Sequence, residues 1–353
     1  MIARPAGRNN ARRSLDGRGG GKMTAVRWGV IGTAGIARKN FLPAVREAGG
    51  EAAAVAGRDA ERTSRWARDN GVGRAVVGYQ RLIDDPGVDA LYIPLPNALH
   101  AEWTIRALRA GKPVLCEKPL TGSLAGTEQV LAVAHETGTP LWEAFVFPFH
   151  DQMRRLRELI ADGVIGDLRE IQSNFHFFMT QRDTNIRMSA ELAGGALLDV
   201  GCYPVRLARD LFAAGHTSAW AAADYDPGGV DLSTWGCLGF PDGRRLLLSC
   251  GFNRAQDTFS RLLGTAGQIN ITNPFHPTPR DRFEVHVEGS EPAVHPGAGP
   301  NRESFTPAVR HIQAVVRGEE EPRLLAIDTS LGSAQALDDL ARSAAAQAGV
   351  PAP

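Results

Sequence analysis

The chain has 353 residues, 39 Lys and Arg against 39 Asp and Glu, and a formal net charge of zero. That length accommodates two domains with separate cores, and the composition is ordinary for a globular protein. No apolar run approaches the ~18 residues of a membrane span, and Cys116, Cys202, Cys237 and Cys250 lack the CxxC spacing of a metal or redox site, so no metal is expected and free thiols fit a reducing cytoplasm.

The charge is unevenly spread. Residues 1–22 carry Arg4, Arg8, Arg12, Arg13, Arg18 and Lys22 against Asp16, a net of +5 that leaves −5 for the remainder. This Gly- and Arg-rich segment has too few large apolar residues to form a core and lacks the apolar region of a secretory signal. Residues 1–23 are therefore expected to be a disordered basic tail, or the product of a start upstream of Met23.

From Val26 the pattern is strand, turn, helix, repeated. Val26–Ile31 reads as a buried strand, and Gly32–Ala37 as a small-residue turn opening a helix toward Ala48. A strand at Ala52–Ala56 and a helix at Asp59–Asn70 follow. Then come a strand at Asp89–Pro94, a helix at His100–Ala110, a strand at Val114–Glu117, a helix at Ser123–Glu136 and a strand at Pro140–Phe145. This alternation predicts an α/β Rossmann domain over residues 24–146 with a parallel sheet.

After Phe149 the rhythm changes. A helix is predicted over Gln152–Asp162 and another from about Ala196 to Ala213. Strands are predicted at Leu168–Phe178, Ser218–Asp224, Leu232–Phe240, Arg245–Phe252, Phe259–Gly264 and Phe283–Glu288. Residues 289–302 read as a loop, and helices at Glu303–Arg317 and Thr329–Ala346 close the chain. Runs of strands with few helices predict a second, α+β domain over 147–353 with an open, largely antiparallel sheet, whose C-terminal helix can pack back on the first domain.

Gly32-Thr33-Ala34-Gly35-Ile36-Ala37 sits between a strand and a helix and matches G-x-G-x-x-[GA], with Ala34 replacing the middle glycine. Small residues there let the backbone approach a pyrophosphate at a helix N-terminus; the alternative is a tight turn without a ligand, and the strand before, the helix after and the N-terminal position favour the dinucleotide reading. The second strand ends in Gly57-Arg58-Asp59, with Arg62 one turn on. Guanidinium groups at this place match a ribose 2′-phosphate, so NADP, as NADPH, is preferred to NAD; Asp59 keeps NAD possible. Leu95, Asn97 and His100 follow another strand end. Asn97 is either a helix cap or a cofactor contact, and His100 either faces the cofactor or packs against its helix.

Lys118 follows an apolar strand ending in Glu117, where open α/β sheets bind ligands. Asp199 and Tyr203, four apart, share a helical face. A phenol beside an ammonium has its pKa lowered and can exchange a proton with a carbonyl or hydroxyl oxygen. Taken alone, Tyr203 reads as a core aromatic and Asp199 as a cap.

Together, Gly32-x-Ala34-x-x-Ala37, Glu117-Lys118-Pro119 and Gly194-Gly195-x-x-x-Asp199-x-x-x-Tyr203 resemble the glucose–fructose oxidoreductase/inositol dehydrogenase/rhizopine-catabolism (Gfo/Idh/MocA) family from Val26 to about Ala346. The resemblance implies a cis Lys118–Pro119 peptide, contact of Lys118 with substrate and nicotinamide, and a homodimer or homotetramer. Inositol dehydrogenase-like members carry His at the position of Tyr203, so an Asp–His dyad is not carried over. Tyr92–Pro96, His100–Trp103 and Ala196–Pro204 look closest to NDP-3-keto-deoxysugar 3-ketoreductases. Asn185-Ile186-Arg187 looks like a stretch of xylose-type aldose dehydrogenases.

The resulting expectation is an NADPH-dependent reductase of a 3-keto sugar on a nucleoside diphosphate, with Lys118 and Tyr203 catalytic. Asp199, Arg187, Glu143 and Phe147 are expected at the substrate, with Arg187 alternatively paired to Glu191. Arg182, Arg187, Arg254 and Arg261 are candidates for a diphosphate. Oxidation of a free aldose or a dihydrodiol, and a non-catalytic cofactor-binding regulator, are the alternatives. Neither nucleic acid nor membrane is an expected partner.

Overall fold

The computed structural model describes residues 25–278, 280–297 and 305–350, and the basic tail expected at 1–23 lies outside them. The first domain alternates β1 (Arg27–Ile31), α1 (Leu42–Glu47), β2 (Glu51–Gly57), α2 (Ala60–Asp69), β3 (Arg74–Val77), α3 (Tyr79–Ile83), β4 (Ala90–Ile93), α4 (Asn97–Arg109), β5 (Val114–Cys116), α5 (Leu124–Thr137) and β6 (Leu141–Glu143). The six strands are parallel in the order β3-β2-β1-β4-β5-β6. That order reverses at β1, and ligands bind beyond the carboxyl ends of strands at such a reversal.

Local chemistry sets these elements. Asp59 caps α2 by accepting from the Arg62 N–H at 2.7 Å, and Ser123 caps α5 by accepting from the Gly126 N–H at 3.1 Å. The helix after the glycine turn is interrupted: Ala37–Phe41 forms a π turn before α1. β3, α3 and the true start of α4 depart from the sequence reading. β3 is a four-residue, mostly exposed edge strand without the apolar run that marks its neighbours.

The second domain contains α6 (Asp151–Ala161), β7 (Leu168–Phe178), α7 (Cys202–Phe212), β8 (Ser218–Tyr225), β9 (Asp231–Gly239), β10 (Arg245–Gly251), β11 (Asn253–Gly264), β12 (Gly267–Ile271), β13 (Arg282–Val287) and β14 (Ala293–Pro296). They form one eight-stranded sheet ordered β14-β13-β12-β11-β7-β10-β9-β8, antiparallel except for the β7–β10 pair. β12 and β14 correct the sequence reading. β14 lies within the segment read as a loop; it is an edge strand, where proline is tolerated.

Two last helices, α8 (Phe305–Val316) and α9 (Ala326–Ala348), tie the domains together. α8 packs into the first domain: Phe305, Val309 and Ile312 share a core with Val26, Trp28 and Phe41, and Thr306 Oγ1 donates to Glu47 at 2.9 Å. α9 lies between the domains: Leu337 and Leu340 join the second sheet's core, while Ala326 joins a first-domain core and Ser330 Oγ donates to Glu143 of β6 at 2.6 Å. Both closing helices thus pack against first-domain elements, so the spatial division departs from the sequential one at 146/147. Among the described residues no helix is long and apolar enough to cross a membrane, and no cluster of potential metal ligands occurs.

Candidate active site

The carboxyl ends of β1, β4 and β5 deliver the glycine turn, Leu95 and Glu117–Lys118 to one crevice. Gly32 has φ +103°, and a Cβ there would lie 2.9 Å from Leu95 Cδ2, so turn and β4 loop are in contact. A Cβ on Gly35 would meet nothing within 4 Å, which leaves the backbone approachable. Thr33 and Ala34 are half-buried, Gly35 and Ile36 exposed, and Ala37 buried in the helix–sheet core. Gly57 is required by packing, since a Cβ would fall 2.0 Å from Thr63 Oγ1.

Arg58 and Arg62 are exposed and have no ion-pair partner among the described residues, whereas Asp59 Oδ1 is occupied capping α2. Two unengaged guanidinium groups beside an engaged carboxylate fit a 2′-phosphate. The residues present therefore suit a dinucleotide: the Gly32–Ala37 turn for the pyrophosphate, Arg58 and Arg62 for the phosphorylated ribose.

Asn97 and His100 take different places from those expected. Asn97 is the first residue of α4, not its cap, and Nδ2 donates to Ala193 O in the second domain at 2.8 Å. His100 is fully buried, so it does not reach the crevice. Its Nε2 lies 2.7 Å from Leu95 O and its Nδ1 2.9 Å from Pro119 O, holding two crevice loops together.

The Lys118–Pro119 peptide is cis. Lys118 Nζ donates to Asp199 O at 2.6 Å and to Asp199 Oδ1 at 3.0 Å, and lies 5.0 Å from the Tyr203 ring centre. Two of its three N–H bonds are thus held, leaving one for a substrate oxygen. Burial opposes the ammonium, but Asp199 and the neighbouring groups carry its pKa above the ordinary lysine value.

Asp199 is a shared anchor. Its Oδ2 accepts from Arg187 Nε at 2.6 Å, so Arg187 pairs with Asp199 and not with Glu191. Burial works to raise the Asp199 pKa, yet Lys118 and Arg187 lower it to about 2. A carboxylate held this firmly is a fixed counter-charge and not a proton relay.

The Tyr203 phenol departs from the expectation of a lowered pKa. Burial pushes it up, and Lys118 offsets only part of that effect. The ring is packed by Phe145, Phe147, Phe175, Phe275 and His276, with centroids 5.1–6.2 Å away. Lys118 stands over the ring's face, so low dielectric outweighs a charge that does not bond the oxygen. Among the described residues the hydroxyl has no hydrogen-bond partner, and it remains available to a substrate.

Two expected wall residues lie behind this surface. Phe147 is fully buried against the Tyr203 ring and does not line the crevice. Glu143 is buried, accepting from the Leu120 N–H at 2.7 Å and from Ser330 Oγ at 2.6 Å, and thereby fixes the segment after Pro119. Glu117 is held by Tyr92, whose hydroxyl donates to Oε1 at 2.5 Å; burial raises the Glu117 pKa.

Asp231 is a site residue that sequence reading missed. Its Oδ2 accepts from the Leu197 N–H at 2.8 Å and Thr234 Oγ1 at 2.7 Å, fixing the π turn Leu197–Gly201 that carries Asp199. A Cβ on Gly195, at φ +111°, would fall 2.1 Å from Asp231 Oδ1, which accounts for this glycine. Burial pushes the Asp231 pKa up to about 6, against an ordinary 3.8, despite these hydrogen bonds. A raised carboxyl pKa stabilises the fold below the unfolded value and loses that contribution as pH rises through the folded one. Asp231→Asn keeps the acceptor, so it is expected to raise Tm by a few degrees at pH 7.5 and to lose that gain by pH 4, in paired thermal melts.

The candidate diphosphate arginines divide. Arg182 lies over Phe178, and Arg254 follows Asn253, which pairs with Phe178, so both sit at one end of the sheet near the Arg187 loop. Arg261 is paired in register with Gln172, which Leu247 faces from the other side, and donates to Asn270 Oδ1 at 3.1 Å. Strand alternation puts it on the sheet's outer face, opposite Phe175 and Tyr203, which removes it from the candidates.

Comparison with known proteins agrees with this architecture. The family model described as "Oxidoreductase family, NAD-binding Rossmann fold" matches residues 26–145, and that of the GFO/IDH/MocA C-terminal domain matches 153–270. The chain is 40% identical over 280 residues (78% of this chain, 81% of the relative) to the dTDP-3,4-didehydro-2,6-dideoxy-alpha-D-glucose 3-reductase of Streptomyces violaceoruber. It is 34% identical over 327 residues (85% of this chain, 99% of the relative) to a D-xylose 1-dehydrogenase (NADP(+)) of Haloferax volcanii. A 3-ketoreductase of Actinomadura kijaniata, solved with NADP and TDP-benzene, superposes with TM-score 0.82 at 34% identity, covering 90% of this chain and 98% of that one.

Proposed function

Because the chain belongs to the Gfo/Idh/MocA oxidoreductase family, with its NAD-binding Rossmann domain, we propose that it is an NADPH-dependent reductase of a 3-keto deoxysugar carried on a nucleoside diphosphate. The observation that carries the reading is the Tyr203 phenol beside the Lys118 ammonium, with a hydroxyl that no described residue bonds. Such a phenol can give its proton to a ketone oxygen as hydride reaches the carbon.

NADPH, when bound, supplies the hydride to the carbonyl carbon. The remaining Lys118 N–H holds the carbonyl oxygen and stabilises negative charge as it develops. Tyr203 gives that oxygen its proton and is reprotonated from solvent. Asp199 and Arg187 fix the ammonium, and Tyr92 and Glu117 stiffen the strand end beneath it. Arg182, Arg187 and Arg254 receive the diphosphate. Identity to the 3-reductases and the likeness to a 3-ketoreductase solved with NADP and TDP-benzene support this substrate class.

Trp220, Trp235 and Leu247 stand exposed on the outer face of neighbouring strands, where their registers align them. We assign this apolar face to self-association as a homodimer or homotetramer.

A substrate panel followed at the nicotinamide absorbance tests the reading. Reduction of a dTDP-linked 3-ketosugar with NADPH is expected at a kcat/KM at least about a hundredfold above NADP-dependent oxidation of D-xylose or D-glucose. The opposite ranking favours the second reading, aldose oxidation, which the identity to the xylose dehydrogenase supports. Replacing Arg58 and Arg62 together with alanine is expected to weaken NADPH binding about ten- to hundredfold and leave NADH nearly unaffected, measured by fluorescence titration.

A further inference from the structure

A cavity of about 660 Å³ lies behind the active-site turn and includes neither Lys118 nor Tyr203. Its size is that of a small-molecule site. It is bounded by the segment 119–124, by Leu197 and Leu198, by α9 and by the β8–β9 turn at 225–231. Most of its lining is apolar. Among the described residues its charged side chains are all acids (Glu143, Asp226, Asp231 and Asp338), and no Lys, Arg or His lines it.

Two of these acids are already answered. Asp338 pairs with Arg342 at 2.7 Å, and Glu143 takes hydrogen bonds from Leu120 and Ser330 with Arg206 at 3.9 Å. Although Asp231 Oδ2 takes the hydrogen bonds from Leu197 and Thr234, Asp226 and Asp231 have no ion-pair partner among the described residues. They belong to one hairpin end, where Asp231 is registered with Tyr225 and Asp226 Oδ1 accepts from the Val230 N–H at 2.8 Å.

An anionic ligand would meet only like charge here, so the diphosphate of a nucleotide sugar is excluded. A neutral apolar ligand would take water from two carboxylates and return no counter-charge, which is unfavourable. A cation on an apolar body meets both the lining and the unpaired acids. We propose that this cavity binds a small organic cation, an alicyclic or aromatic body with a primary or secondary ammonium whose N–H bonds go to Asp226 and Asp231. The body rests on α9 and on Leu197 and Leu198, two residues that directly precede Asp199.

Isothermal titration of the full chain with cyclohexylmethylamine, cyclohexylmethanol and cyclohexanecarboxylate tests it. The amine is expected to bind saturably, about tenfold or more tighter than the alcohol, with the carboxylate silent. Asp226→Asn with Asp231→Asn should bring the amine down to the alcohol's affinity, and Ala341→Trp, which fills the cavity, should remove binding. Should Ala341→Trp not fold, Ala334→Phe obstructs the same helix face. No saturable amine binding, an alcohol or carboxylate that binds as tightly, or amine binding unchanged in the filled cavity overturns the proposal. Because no ketosugar or nicotinamide turnover is read, failure here is separate from failure of the proposed reaction.

Discussion

Tyr203→Phe is expected to lower the rate of ketone reduction about a hundred- to ten-thousandfold, the usual contribution of a positioned general acid. The substitution removes one hydroxyl that has no partner among the described residues, so the aromatic packing around it survives and Tm should hardly move. NADPH affinity should stay within about twofold, because the loss is confined to the transition state. Lys118→Ala removes the donor to the developing oxyanion, and about a hundred- to thousandfold in kcat is expected. Single-turnover absorbance separates hydride transfer from binding in both variants. An ordinary transfer rate in Tyr203→Phe would mean that the proton comes from elsewhere.

Asp199→Asn has the next largest expected effect, and it falls on stability as well as rate. Asp199 is the counter-charge of both Lys118 and Arg187. Removing one partner of a buried pair costs about 3–5 kcal/mol, and the half-exposed Arg187 places this case toward the lower end. The rate should fall too, since nothing then fixes the ammonium. A pH profile distinguishes a positional loss from a general one. With Asp199 present, the Lys118 pKa lies above its ordinary value; without it, burial dominates and the pKa falls. A basic limb is therefore expected to enter the kcat/KM profile of Asp199→Asn at a pH where wild type is flat. The wild-type carboxylate has a depressed pKa of about 2, so its stabilisation is present above about pH 4 and is lost as pH falls toward 2.

The parts of the site that were legible in sequence are those that strand–turn–helix rhythm places. Gly32 and Lys118 each follow an apolar strand, and parallel order carries both to one crevice. Asp199 and Tyr203 share a helical spacing, and both meet Lys118 although a π turn intervenes between them. Spacing could not supply the sign of the phenol's pKa shift. That depends on Phe145, Phe175 and Phe275, which come from distant elements and set the dielectric around the ring. Asp231 was invisible for the same reason, being 34 residues from the N–H it accepts. Its one local trace was the glycine pair, since Gly195 must clear its carboxylate.

His100 and Phe147 show the converse limit. Each follows a strand that ends at the crevice, but each turns inward, His100 to two carbonyl oxygens and Phe147 to the Tyr203 ring. Arg261 was assigned by residue type, and strand register decides against it. Edge strands β3 and β14 escaped detection because half or more of each is solvated, so neither shows a continuous apolar run.

The central claim is that Lys118 and Tyr203 act on one carbonyl oxygen as a unit. Single-turnover oxidation of NADPH by wild type, Lys118→Ala, Tyr203→Phe and the double variant, with a dTDP-linked 3-ketosugar saturating, tests it directly. Groups that act as a unit are non-additive, so the double variant should be about as slow as the slower single one. Losses that multiply, or a double variant that transfers hydride like wild type, would contradict the claim.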